Sequence, residues 1–453
     1  GGLKIYTTLN VQMQNTVQDI LNDRSNLQVD VNNGDPTDSD GVPLLQASAT
    51  IIDYKTGQVK VLIGGRGNQP SASLNRAYFD LKSIGSTTKP LTVYGPAIDT
   101  KLITAGTPLD DTSVSEEILE KYNFGSVVPK NADGSMFGYI TAREALTYSK
   151  NLTSIKTVDM LGLDTALNYG KKAGLKYAPQ SHTMSALALG QFDQPIGNRD
   201  GGNTTILASA YGAFGNNGVI YEPALYTKVE DASGNLLLEK EPISTKLFSP
   251  QTSYIIYDIL KGSSTSAQFN DIPVAGKTGT TNSSDNFWFA GLTPYYSGSV
   301  WIGYDNPQRM NGRSSSAASL FSKIMAVAHE GLEYKDIEKP SGLVEAKVCK
   351  DSGKSPTDLC YEDQRGNRVK TEYFIDGTQP KSVCDIHVSV SVNSSNNKLA
   401  NKNTPSRLIE DKVFINKPNA NPNADDYPFV VPTREDDTKA EEYIKLSEIG
   451  LRA

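Results

Sequence analysis

The sequence predicts an α+β fold: an antiparallel sheet covered by helices, then a small β-rich module and a polar tail. Three observations carry this. Runs of alternating apolar residues stand near both ends of residues 46–337, with a long stretch of helical periodicity between them. The later runs are joined by short, turn-rich links, which suit antiparallel neighbours and not the helical crossovers of a parallel sheet. Beyond residue 338 the helical pattern stops, and short strand-like runs stand in polar surroundings.

Residues 1–45 read as a linker or N-terminal segment, pairing a strand, "KIYTTL", with a helix-like "VQMQNTVQDILNDR" and a polar loop. "LQASATIIDYKTGQVKVLIGG" then predicts two strands about a turn at Lys55-Thr56-Gly57, with Gly57 suited to positive φ. Residues 86–230 are mostly helical in pattern, as in "ITAREALTYSKNLTSIKTVDMLG" and "TTILASAYGAFGNNG". A helix at "TSYIIYDILKG" precedes three alternating runs, "VAGKTGTT", "NFWFAGLTP" and "YYSGSVWIGYD". "ASLFSKIMAVAHEGL" closes this domain, residues 46–337, as an amphipathic helix on a sheet face. Residues 338–395 form the small β-rich module, and 396–453, rich in Pro, Asn and Asp, are expected to be extended or disordered.

With 453 residues, 38% of them hydrophobic and 21% charged, the chain can bury at least one substantial core. The net charge of −7 gives no support for nucleic acid as a partner. No window of membrane-spanning length is apolar throughout. The chain opens in mid-pattern on "GGLKIYTTLN", which suggests an anchor or further domain upstream. Three cysteines, Cys349, Cys360 and Cys384, permit at most one internal disulfide. A Cys349–Cys360 bridge is chemically allowed, although spacing does not establish it. No Cys–Cys pair has zinc-like spacing and the three histidines are scattered, so neither a metal nor a cofactor is expected.

Chemistry starts at "SIGSTTKPLTVYGPAI". Ser86 and Lys89 are three positions apart and share one face of a helix. A serine hydroxyl is a poor nucleophile until a nearby base takes its proton, and a buried or cation-flanked lysine can be that base. Ser86 at a helix start would also set a developing oxyanion beside unpaired backbone N–H groups. Alone the pair reads as an N-cap serine and a surface lysine, and "SNNK" at Ser395–Lys398 repeats the spacing.

In "TYSKNLTS", Ser149 and Asn151 can face one cleft only if the helix is irregular there. Ser149 would relay a proton and Asn151 bind a substrate amide. On the strand Lys277-Thr278-Gly279-Thr280, alternation sends Lys277 and Gly279 to one face and both threonines to the other. Lys277 would supply fixed positive charge and depress the pKa of Lys89, and Thr278 and Thr280 would bind a substrate carboxylate. Gly279 admits a ligand close to the backbone, and the Thr280 N–H would be the second oxyanion donor beside that of Ser86. Ser284-Asp285-Asn286 reads as an ordinary turn.

S-x-x-K, then S-x-N, then K-T-G is the order found in penicillin-binding proteins and serine β-lactamases. With "GLKIYTTL", "LNRAY", "TAREALTYSKN", "GNNGVIYEPALYTKV" and "AGKTGTTNSSDNFWFAGLTP", the chain resembles the transpeptidase region of class A, bifunctional penicillin-binding proteins over about residues 1–335. The resemblance implies a penicillin-binding-protein/serine β-lactamase-like fold: a five-stranded antiparallel sheet between helices, with the nucleophile at a helix start. It implies Ser86 as nucleophile, Lys89 as base, Ser149 and Asn151 as second wall, and Lys277, Thr278 and Thr280 as third. It further implies D,D-transpeptidation of peptidoglycan stem peptides ending D-Ala-D-Ala onto an acceptor amine, and covalent trapping by β-lactams. The setting implied is the outer face of the bacterial cytoplasmic membrane, with an anchor and glycosyltransferase domain upstream and cell-wall machinery as partners. Lys150, where β-lactamases usually have Asp, favours the penicillin-binding side. The alternatives are a D,D-carboxypeptidase or β-lactamase-type hydrolase, and a non-enzymatic β-lactam sensor.

Overall fold

The computed structural model describes residues 2–29, 34–192, 200–263, 265–417 and 420–439. Two compact units form, one of Gly1–Thr104, Val114–Lys130 and Arg143–Leu343, the other of Ala105–Ser113, Asn131–Ala142 and Val344–Ala453.

The first unit is built on a five-stranded, wholly antiparallel sheet. Its strands are β1 (Leu45–Asp53), β2 (Gln58–Ile63), β3 (Ala275–Thr280), β4 (Asn286–Leu292) and β5 (Ser297–Tyr304), in spatial order β3-β4-β5-β1-β2. Early and late chain therefore meet at the β5–β1 pairing, which closes a long loop of helices between them. The Lys55–Gly57 turn joins β1 to β2, with Gly57 at φ +77°.

One sheet face carries the main core. Helix α1 (Val11–Asn22) begins where the Asn10 side chain accepts from the Met13 N–H at 3.0 Å, and its Met13, Val17 and Leu21 recur at helical spacing. These pack with Ala47, Ala49 and Ile51 of β1, Phe287 and Phe289 of β4, and Phe321 of helix α2 (Ser315–Ala328). The opposite face is covered by helix α3 (Thr204–Gly212), where the Thr204 hydroxyl lies 2.9 Å from that of Thr50. The sheet thus sits between helices, as the sequence led us to expect.

The structure departs from the sequence reading in several places. "KIYTTL" contributes Leu3–Thr7 to a separate three-stranded sheet with Tyr226–Asp231 and Leu236–Glu239. The helical stretch contains a hairpin, Pro108–Asp111 with Gly138–Thr141, which belongs to the second unit. Its strands are too short to show a period. Asn286 belongs to β4 and not to a turn, because it pairs with Gly303 of β5; its side chain also accepts from the Trp301 indole at 2.7 Å.

The second unit pairs Leu343–Cys349 with Val369–Ile375, and His387–Asn393 with Ile409–Ile415. Residues 409–415 were expected in an extended or disordered tail; backbone pairing with 387–393 makes them a strand. The end of that tail, 440–453, lies outside the described residues. All three cysteines are free and buried, so no Cys349–Cys360 bridge exists. Among the described residues, no helix is long and apolar enough to cross a membrane.

Candidate active site

Ser86 lies in a tight 3-10 turn, Gly85–Thr88, whose end is marked by the Lys89 N–H bonding back to the Ser86 carbonyl. Gly85 takes φ +55°, a conformation an L side chain adopts only with strain. Glycine is required sterically as well. A Cβ there would fall 2.5 Å from the Thr280 carbonyl oxygen and 2.7 Å from its nitrogen. On the strand side, a Cβ on Gly279 would fall 2.4 Å from the Ile84 carbonyl oxygen and 2.9 Å from Thr87. Gly190, after the helix Met184–Leu189, offers its carbonyl to the N–H groups of Ile84 and Gly85, both at 3.1 Å. Three side-chain-free positions thus press the Ser86 turn directly onto β3.

Polar contacts hold the turn from two further directions. The Trp288 indole of β4 donates to the Ser83 carbonyl at 3.0 Å. From α3, the buried Tyr211 hydroxyl donates to the Thr87 carbonyl at 2.8 Å. Each such bond is worth about 1 kcal/mol, and together they remove the turn's freedom to drift from the strand.

Lys89 is fully buried. Its Nζ donates to the Ser149 carbonyl at 2.7 Å, the Lys150 carbonyl at 3.1 Å and Asn151 Oδ1 at 2.8 Å. This clamp exists because the helical stretch breaks. One helix ends at Thr147, Ser149 takes φ +59°, and helix α4 (Asn151–Leu161) restarts. The left-handed residue turns two successive carbonyls inward. Asn151 is itself oriented by donating to the Lys130 carbonyl at 2.9 Å.

On β3, Gly279 faces the Ser86 turn, so Lys277, two residues away, faces the same side. Lys277 is 2% exposed, and burial pushes its pKa down to about 7. Its Nζ donates to the Thr278 carbonyl at 3.2 Å. Thr278 and Thr280 alternate to the other face and are half-buried on an edge strand. Ser86 and Ser149 are likewise partly exposed, whereas Lys89, Lys150 and Lys277 are sealed. Partly exposed hydroxyls and buried amines are the groups that serine acyl transfer needs.

Residues 47–326 match the penicillin binding protein transpeptidase domain, and 339–389 the C-terminal domain of penicillin-binding protein 1A. The chain belongs to the penicillin-binding protein transpeptidase family. Penicillin-binding protein 1A of Clostridium perfringens is 51% identical over 414 residues, covering 89% of this chain and 50% of that protein. The chain therefore spans about half the length of the curated relatives it matches. Among solved structures, penicillin-binding protein 1A of Haemophilus influenzae has a TM-score of 0.67 at 19% identity, over 84% of this chain and 73% of that one. PonA1 of Mycobacterium tuberculosis in complex with penicillin V has a TM-score of 0.61 at 20% identity, over 75% of this chain and 89% of that one. At these identities the likeness speaks for the fold. The expected transpeptidase region of a class A penicillin-binding protein is what this chain is.

Two features of this transpeptidase domain escaped the sequence reading. The Lys89 clamp uses the Ser149 and Lys150 carbonyls beside the Asn151 side chain. Backbone direction leaves no trace in residue identity. Burial lowers the pKa of Lys277 to about 7, so near neutral pH it is not the fixed positive charge expected of it.

Proposed function

We propose that this chain is a D,D-transpeptidase, acting on peptidoglycan stem peptides ending D-Ala-D-Ala, and that Ser86 is its nucleophile. Ser86 Oγ attacks the carbonyl carbon of the penultimate D-alanine while its proton passes to Lys89 in the neutral form, which donates to only two of its three acceptors and turns its lone pair to Ser86. The amide C–N bond breaks, terminal D-alanine leaves with a proton delivered through Ser149, and an ester to Ser86 remains. The amine of a second stem peptide then attacks that ester, a new amide forms, and Ser86 recovers its proton. The N–H groups of Ser86 and Thr280 stabilise both tetrahedral oxyanions. Lys277 with Thr278 and Thr280 holds the terminal carboxylate, and Asn151 steadies both Lys89 and the peptide. A β-lactam enters the first step and stays as an acyl-enzyme.

The observation that carries this reading is the contact of Gly85 with Thr280, which seats the Ser86 turn against the strand of Lys277. The native protein is expected to carry a membrane anchor and glycosyltransferase domain, and to work with cell-wall proteins at the outer face of the cytoplasmic membrane. Incubation with a fluorescent penicillin followed by intact mass tests the assignment. One adduct per chain is expected, lost in Ser86→Ala. Equal labelling of that variant would overturn it, and rapid release of hydrolysed drug would favour the hydrolase.

A further inference from the structure

The second unit gathers four soft ligand groups into one buried knot. Cys349, Cys360, Cys384 and His387 are each at least nine-tenths buried, and their Sγ and ring-nitrogen atoms all lie within 4.8 Å of one another. The Cys349 and Cys384 sulfurs are 3.6 Å apart, and His387 Nδ1 lies 3.5 Å from the first and 3.4 Å from the second. A disulfide needs its sulfurs at about 2.05 Å, so these are separate atoms. A tetrahedron with metal–sulfur bonds of about 2.3 Å and metal–nitrogen bonds of about 2.0 Å has sulfur–sulfur edges near 3.8 Å and sulfur–nitrogen edges near 3.5 Å. The three spacings among Cys349, Cys384 and His387 lie within about 0.2 Å of those edges, and Cys360 Sγ lies within 4.8 Å of each of the other ligand atoms. We propose that Cys349, Cys360, Cys384 and His387 Nδ1 form a closed structural zinc site in the second unit.

The surroundings fit a metal-bound imidazole. His387 Nε2 lies 3.0 Å from Asp363 Oδ2 and 3.4 Å from Asp351 Oδ2. A proton on Nε2 therefore donates to carboxylate and leaves the Nδ1 lone pair facing the sulfurs, the carboxylate–histidine–zinc arrangement. The two carboxylates are themselves held. Arg365 pairs with Asp351 at 3.0 Å and Asp363 at 2.8 Å, and Arg368 pairs with Asp351 at 2.9 Å. Zinc with three thiolates and a neutral imidazole carries one negative charge, so two aspartates and two arginines leave the cluster close to neutral. The backbone N–H of Thr357 donates to Cys360 Sγ at 3.3 Å, as a thiolate would accept. With all four positions taken by protein, the site has no opening for water or substrate, and its role is to tie separate segments together.

Zinc binding would displace three thiol protons, with no oxidant or reductant required. Sequence reading missed the site because it compared cysteines only with each other. Cys384 and His387 stand at C-x-x-H spacing, but the other two ligands come from distant segments.

The chain, reduced and incubated with zinc sulfate, then desalted, should retain one zinc per chain by elemental mass spectrometry. Cobalt(II) in its place should give intense thiolate-to-metal charge-transfer bands and a tetrahedral ligand-field spectrum. Cys360→Ser and His387→Ala should lose at least tenfold of the retained metal while still reacting with fluorescent penicillin, which reports that the first unit is folded. Should those variants not fold, the zinc content and cobalt spectrum of the unaltered chain decide alone. Less than a tenth of an equivalent of zinc, or a non-reduced mass two hydrogens short with two of these cysteines linked, overturns the proposal.

Discussion

Gly85 and Thr280 touch backbone to backbone: a single added carbon on Gly85 would fall 2.5 Å from the Thr280 carbonyl oxygen. Gly85→Ala has to relieve that overlap and also pay for φ +55°. The strain alone is about 1–2 kcal/mol, and the overlap pushes the Ser86 turn off β3. We expect penicillin acylation to fall at least a hundredfold, with a lowered thermal midpoint. Acylation at the unaltered rate would show that turn and strand need not meet.

Asn151 Oδ1 accepts from the Nζ of the fully buried Lys89 at 2.8 Å. Asn151→Ala leaves the buried amine short of one acceptor, a loss of about 1–3 kcal/mol in stability, and loosens the clamp that positions Nζ, so acylation should fall by about tenfold or more. Asn151→Asp should do more. Its anion favours the ammonium form of Lys89, which cannot take the Ser86 proton, so the acylation profile should move to higher pH. Stopped-flow acylation between pH 6 and 10 separates the variants; identical profiles would remove Lys89 as base.

Lys277 has its pKa lowered to about 7 by burial. A β-lactam carboxylate needs the ammonium form, which is the major one below that pH and declines about tenfold per unit above it. The second-order acylation constant should therefore fall as pH rises from 7 to 9, through weaker capture more than slower chemistry. Lys277→Arg keeps its charge across the range and should flatten the decline, whatever it does to the absolute rate. A wild-type slope that survives in this variant would place the titration elsewhere.

His329 caps the last turn of α2 from inside the core, where Nδ1 faces the Met325 carbonyl at 2.7 Å and Nε2 the Thr293 hydroxyl at 2.8 Å. A carbonyl only accepts, so Nδ1 carries the proton and Nε2 accepts from Thr293. Burial pushes the pKa from 6.5 down to about 4. Above 6.5 the ring is neutral folded or unfolded, and nothing is lost. Below it only the unfolded chain takes a proton, so stability falls by about 1.4 kcal/mol per unit, about 3 kcal/mol by pH 4. Urea unfolding at pH 7 and 4.5 should show a smaller difference in His329→Gln; an equal difference would clear His329 of the effect.

Much of the fold was legible because its signals are local. The hairpin about Lys55–Gly57, the three alternating runs of β3, β4 and β5, and the amphipathic α2 each announce themselves within a dozen residues. The Pro108–Asp111 and Gly138–Thr141 strands do not, because four residues hold no usable period and their pairing partner lies a helix away. The site divides similarly. Ser86 with Lys89 is a spacing within one turn, and Lys277 with Gly279 is a parity along one strand. The Ser149 and Lys150 carbonyls became ligands of Lys89 only once a left-handed residue broke the helix.

The order of amino acids by itself determined which side chains were on offer and which neighbours could share a face. It also placed glycine at residues 85 and 279, where nothing larger is tolerated. Tertiary structure alone decided that Lys277 would be stripped of water, that two carbonyls would turn toward Lys89, and that Cys349 and Cys360 would converge on Cys384 and His387. The reason is physical. Spacing along the chain governs local backbone geometry, whereas desolvation and ligand convergence depend on atoms brought close through space by packing of the whole core.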